Sequence, residues 1–167
     1  MNTPTLVSSL IFAAVVAVIV SYLIHLMLRG WRHRAERQVS LVGTLPPMPE
    51  TVGPAEIPAT KGLYVGSTLA PQWNDRIAVG DLGYRSKAVL TRYPEGVMLQ
   101  RIGGTPIWIP AASIVAIRTE RGHAGKALTF DGILVIRWTL PSGTDIDTGF
   151  RADDHSVYET WTGKEDG

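Results

Sequence analysis

The chain has 167 residues and a net charge of +1, from 16 Lys and Arg against 15 Asp and Glu. That length allows one ordinary domain with an appendage, and the charge balance argues against a dedicated nucleic-acid binder. There is no cysteine, which excludes disulfides, a thiol nucleophile, a thiolate zinc site and a Cys-ligated iron–sulfur cluster.

Charge is unevenly placed: no Lys, Arg, Asp or Glu occurs before Arg29. After a short tail at 1–5, Leu6–Leu28 reads LVSSLIFAAVVAVIVSYLIHLML. As a helix this segment is about 34 Å long, enough to cross a hydrocarbon core of about 30 Å. The start MNTPT lacks the basic residues of a signal peptide. The exit carries Arg29, Arg32, Arg34 and Arg37, a stop-transfer flank at 29–37. Four arginines after the span and none before it predict a single-pass protein of the cell (inner) membrane, N-terminus outside and C-terminal domain cytoplasmic. Tyr22 and Trp31 suit the water–lipid boundary. His25, one turn before Arg29, reads as a neutral imidazole reaching the headgroups rather than as a proton relay. Ser9, Ala13, Ala17 and Ser21 recur every four residues and make a small-residue stripe suited to helix association, hence to a homo-oligomer.

From 38 to 60 the chain reads as a proline-rich linker, with Pro46, Pro47, Pro49, Pro54 and Pro58. Such a segment favours extended polyproline II and predicts a semi-rigid tether reaching roughly 70 Å. The Pro46–Pro49 spacing fits a PxxP ligand, but tether is the simpler reading. Residues 61–163 follow as one domain, with a tail at 164–167. Its patterning has period two. Ala88, Leu90 and Arg92 alternate with Val89, Thr91 and Tyr93; Leu134, Ile136, Trp138 and Leu140 oppose Val135, Arg137 and Thr139. Pro94-Glu95-Gly96 and Pro141-Ser142-Gly143 are hairpin turns. Strands are expected near 62–69, 76–80, 87–93, 96–102, 107–109 with 114–119, 133–140 and 145–151. Six or seven of them make an antiparallel sandwich or open barrel. A short terminal helix, Asp153–Trp161, with Asp153 as its N-cap and Val157 and Trp161 on one face, would close one end.

Catalytic motifs are missing. Gly122-His123-Ala124-Gly125-Lys126 lacks the first glycine and the final Ser or Thr of a phosphate loop, and no serine sits in a Gly-x-Ser-x-Gly elbow. Asp145, Asp147, Asp153, Asp154 and His155 could gather around magnesium or calcium. However, Asp145 and Asp147 fall on the outward parity of their strand and read as a solvated acidic face. No catalytic residue, cofactor or metal site is therefore assigned, and an enzyme is the poorest reading.

The strand count, the terminal helix carrying Trp161, and the run Ile107-Trp108-Ile109-Pro110-Ala111-Ala112-Ser113-Ile114-Val115-Ala116-Ile117 resemble a bacterial pleckstrin-homology (PH)-like domain. With the spanning helix and linker, residues 6–162 resemble small actinobacterial membrane proteins with a cytosolic PH-like domain. Genes of that family often lie among pyrimidine-biosynthesis genes, and some members are labelled export or transport proteins. The terminal helix here is shorter than a full PH helix. Members that bind phosphoinositides place several Lys and Arg after the first strand. Here that loop, 70–76, has one arginine and one aspartate, and residues 61–167 carry 12 basic and 12 acidic side chains. The one basic cluster of the domain, Arg118, Arg121, His123 and Lys126, is the candidate interaction loop. The resemblance implies a membrane-anchored, non-enzymatic interaction or scaffold module with a membrane or cytosolic protein partner. The alternative is an accessory subunit of a transport or export system.

Overall fold

The apolar helix does not end at its first arginine. In the computed structural model, which describes residues 2–123, 126–127 and 132–163 (backbone alone for 122–123 and 126–127), α1 runs unbroken over Thr3–Val42. Its 40 residues make a rod about 60 Å long. The linker expected from 38 therefore starts five residues later. Arg, Ala, Glu, Gln and Leu dominate residues 34–41 and propagate helix well, and no proline intervenes before Pro46. The stop is Gly43. It takes φ +59° and donates its N–H to Val39 O at 2.9 Å, a conformation that a Cβ disfavours. Ser142 Oγ donates to Leu41 O at 2.5 Å and so covers one of the carbonyls a helix end leaves open.

The rest of the expected tether also lies on the domain. Gly53 N–H reaches both carboxylate oxygens of Glu95, at 3.0 and 3.1 Å, and Glu56 N–H donates to Arg92 O at 2.8 Å. Ile57–Thr60 already belong to the first strand. A proline-rich composition shows that a segment makes few bonds within itself, but the flanking chain can still receive it.

Strand β1 spans Ile57–Leu69, β2 Ser86–Tyr93, β3 Gly96–Arg101, β4 Ile107–Pro110 and β5 Ile114–Glu120; β8 spans Ile133–Thr139 and β9 Asp145–Ala152. These seven form one antiparallel sheet in the order β4-β3-β2-β1-β9-β8-β5. Two-residue strands β6 (Gly122–His123) and β7 (Lys126–Ala127) pair with each other alone. The fold is the open antiparallel barrel with a short C-terminal helix that the alternation predicted. Its pivot is β1, whose first half pairs with β2 and second half with β9, with a bulge between Tyr64 and Gly66. The bend folds the sheet onto itself and encloses Leu90, Leu99, Ile109, Leu134, Ile136, Trp138, Ile146 and Phe150.

No strand forms at 76–80. Arg76 makes a single bridge to Thr68, and Ile77 and Ala78 are buried in an irregular β1–β2 connection. The terminal helix is a 3-10 turn, His155–Val157, followed by α2, Tyr158–Thr162. Its cap is Asp154 rather than Asp153: Asp154 Oδ1 accepts the Ser156 N–H at 3.0 Å, whereas Asp153 spends its own N–H on Lys61 O. Trp161 is buried as expected, beside Tyr158, whose hydroxyl donates to Gly132 O at 2.6 Å and accepts from Ala152 N at 3.0 Å.

Candidate functional site

The C-terminal third of α1 is built into the domain through the β1–β2 connection. Gln38 is 4% exposed; its Oε1 accepts the Ala78 N–H at 2.8 Å and its Nε2 donates to Arg76 O at 3.3 Å. One carboxamide thus replaces the backbone of a neighbouring strand for the residues that fail to form one, and both polar groups are satisfied. Two turns earlier on the same helical face, Trp31 rests on Gly83. A Cβ there would lie 2.5 Å from Ile77 O and 3.2 Å from the Trp31 ring, so this contact requires glycine. Tyr84 lies beside Trp31, ring centroids 6.4 Å apart.

The same connection is pinned from the core side. The guanidinium of Arg101, itself buried, donates through Nη2 to Asp81 Oδ1 (2.6 Å), through Nη1 to Asp81 O (2.8 Å) and through Nε to Thr105 O (2.8 Å). It also lies 4.8 Å from the centroid of the Tyr64 ring. Burial alone would raise the Asp81 carboxyl, but hydrogen bonds from Thr105 and Arg101 outweigh it and hold the group below the usual carboxylate range. Tyr64 donates to Leu82 O at 2.6 Å and meets Ser67 Oγ at 2.8 Å; Ser67 in turn meets Thr148 Oγ1, which accepts from Trp138 Nε1 at 2.9 Å. Burial pushes the Tyr64 hydroxyl up to about 12, so it remains a proton donor at all ordinary pH. A polar chain therefore runs from the sheet core to the segment that receives the helix.

A second constellation lies where β5, β8 and β9 adjoin. Asp147 is 1% exposed. Arg137 binds both its oxygens, Nε to Oδ1 at 2.9 Å and Nη2 to Oδ2 at 2.8 Å, and Arg118 Nη2 reaches Oδ2 at 2.9 Å. Arg118 also pairs with Glu120. Burial pushes the Asp147 carboxyl up, and the two guanidinium groups overcome this and lower it. Two arginines and two carboxylates cancel, so the cluster locks three strands together and presents little net charge.

This arrangement corrects two expectations. Asp147 is no part of a solvated acidic face, because Arg118 and Arg137 from the neighbouring strands cover it. Arg118 does not belong to an interaction loop, since its guanidinium is held by Asp147 and Glu120. Arg121 is exposed just past β5; His123 and Lys126 are register partners in the β6–β7 hairpin, and their side chains lie outside the described residues. Arg29, Arg32, Arg34 and Arg37 are all exposed on α1. At 100° per residue they are distributed around the helix as a collar rather than a stripe. Ser9, Ala13, Ala17 and Ser21 lie along one exposed stripe, and His25 is exposed as well. Asp145 is exposed and accepts from Thr139 Oγ1 at 2.6 Å. Among the described residues no group of three His, Asp or Glu side chains could hold a metal ion. One helix, α1, is long and apolar enough to cross a membrane.

Gln38, Arg101 and Asp81 escaped the sequence reading. Arg101 left a signal: it shares the inward parity of Val97 and Leu99 on β3. Gln38 gave none beyond the late position of Gly43. The model of the family described as bacterial PH domain-like matches residues 42–166. No curated protein matches the chain.

Proposed function

The chain belongs to the bacterial PH domain-like family, and from that premise we propose that it is a single-pass cell-membrane protein presenting a non-enzymatic interaction and scaffold module to the cytoplasm. PH-like domains serve generally as interaction modules, which supports this reading over an enzyme. One observation carries the anchor: every side chain from 2 to 30 is exposed, while the same helix becomes seated in the domain from Trp31 onward. An apolar surface of that length needs a cover, and a bilayer fits its dimensions. Trp31 is three residues past Leu28, about 4.5 Å along the axis, so the β1–β2 connection would sit at headgroup level. The arginine collar favours N-out, C-in topology and adds about 1 kcal/mol per residue of attraction to anionic lipid. Its partners would be the bilayer, a membrane or cytosolic protein, and a second copy through the Ser9–Ser21 stripe, with no nucleic acid among them.

A C-terminal reporter active only outside the cytoplasm should stay silent while a cytoplasmic one is active. The reverse result removes the topology. A photo-crosslinking residue placed on the domain surface in intact cells should trap a protein, and a domain that traps none at any exposed position is no interaction module. The second reading is an accessory subunit of a transport or export system. It is favoured by the same exposed stripe, which could seat α1 against a multispan partner, since one helix cannot enclose a solute path. Crosslinks from Ala13 or Ala17 to a multispan protein would select it.

A further inference from the structure

A groove of about 660 Å³ opens on the outer face of the sheet, where β1 leaves β2 for β9. Two register pairs define it: Leu63 has Lys87 as its partner on β2 and Arg151 as its partner on β9. One row across three strands therefore reads cation, apolar, cation. In the next row Lys61 faces Val89, and Ile102, 69% exposed, borders the groove. Asp153 and His155 also line it, and the His155 ring is stacked on Tyr158 with centroids 5.2 Å apart.

The cations of this surface differ from the four arginines that carry the domain's ion pairs. Arg92, Arg101, Arg118 and Arg137 each have a carboxylate partner. Among the described residues Lys61, Lys87 and Arg151 have no ion pair, although they converge around half-buried Leu63 and Val89 and exposed Ile102. Unpaired cations over an apolar floor complement an occupant that is acidic and apolar at once.

We propose that this groove takes an extended acidic and apolar segment of a protein partner, its carboxylates on Lys87 and Arg151 and its apolar side chain on Leu63. The inference rests on the interaction-module reading and supplies its partner chemistry. The outer cations sit about 10 Å apart at the backbone, two inter-strand steps. Side chains i and i+4 of an extended peptide lie about 13 Å apart on one face. The long Lys and Arg stems span the difference. A soluble segment is favoured over the bilayer by position: Lys61 lies eight residues, about 26 Å, along β1 from Leu69 and the connection that holds α1.

The test uses the full chain in neutral-lipid nanodiscs and a fluorescent peptide, Glu-Ser-Leu-Ser-Glu-Ser-Leu-Ser-Glu, read by anisotropy. Binding should weaken at least tenfold in Lys87→Glu/Arg151→Glu and also fall in Ile102→Ser. The double variant should gain affinity for the same peptide with Lys in place of Glu, a swap that misfolding cannot imitate. Equal binding by wild type and the double variant, or none at millimolar peptide, overturns the proposal. So does binding of phosphatidylglycerol vesicles that the double variant abolishes while the peptide fails, since the groove would then read lipid. In cells, crosslinks from a photoreactive residue at Leu63 support the groove. Crosslinks from Val115 or another exposed position but not from Leu63 overturn it and leave the module reading intact; crosslinks from no exposed position remove both.

Discussion

Gln38 and Ala78 are 40 positions apart in the chain and joined by a 2.8 Å hydrogen bond from the Ala78 N–H to the Gln38 Oε1. That bond makes the helix and the domain one body. The donor is buried and the acceptor is the side chain of a helix whose other end is fully exposed, so the joint ties the apolar rod to the barrel by a buried polar contact.

Gln38→Ala leaves the Ala78 N–H and the Arg76 carbonyl facing a void. The expected cost is about 1–3 kcal/mol, set by the desolvated donor rather than by the mean value of a hydrogen bond. The change should appear as lost amide-exchange protection at Ala78 and a lower denaturation midpoint of the full chain in micelles. Unchanged protection at Ala78 would show that the joint does not depend on Gln38.

Val42 is 1% exposed and belongs to the core, and Ile57 opens β1. A fragment 38–167 should therefore be more stable than 61–167, which lacks both residues and the Gln38 carboxamide. Urea midpoints of the two fragments test this; equal midpoints would mean that α1 merely rests on the surface.

Asp147 is a buried acid held by two arginines. Asp147→Ala takes the carboxylate from Arg137 and leaves Arg118 with Glu120 alone; both guanidinium groups keep some access to water, so the cost should be about 1–3 kcal/mol, below that of a fully buried broken pair. The native carboxyl is lowered from its ordinary value, so the folded state binds its proton less readily than the unfolded chain does. This stabilisation is complete above the unfolded value of about 3.9 and is lost as pH falls through the lower native value. Thermal melts from pH 7 down to pH 2 should show a steeper loss for wild type than for Asp147→Asn. Parallel curves would assign the acid sensitivity to other groups.

Trp138 is fully buried and its Nε1 donates to Thr148 Oγ1 at 2.9 Å. Trp138→Ala should cost about 3–5 kcal/mol as a core deletion. Trp138→Phe keeps most of the packing and loses the bond, so it should fall well below that. A denaturation cost near zero for Trp138→Ala would remove Trp138 from the core.

What could be read from the sequence followed from periodicity, and what could not followed from polar groups that act at long range. Alternation placed Leu134, Ile136 and Trp138 inward and located both hairpin turns, because a sheet with one covered face repeats every two residues. The same rule misplaced Asp147. At Asp147 the outward face of β9 is covered too, and the acid is tolerated only because Arg118 and Arg137 arrive from other strands. Ile77 and Ala78 have strand composition, yet their partner is a side chain 40 positions upstream, which no local pattern encodes. In the linker, proline content indicated extended chain, while Gly43 and Pro46 together mark the true helix stop. Composition changes at 38, but backbone geometry changes at 43. Of the basic loop, only Arg121 keeps an exposed position among the residues whose side chains are described, because a run of charges near a strand end does not reveal which of them the sheet will use.

An unbroken α1 also fixes azimuth. Between the last exposed apolar turn and Gln38 there is no proline and no break in the helix, so the direction the domain faces is set by the helical phase of residues 29–37. One alanine inserted there would turn the whole barrel by about 100° around the rod and lift it about 1.5 Å, whereas four would bring it within about 40° of its starting heading. Any process that needs the groove on a particular side should fail with one inserted residue and recover in large part with four. A flexible tether would be indifferent to both.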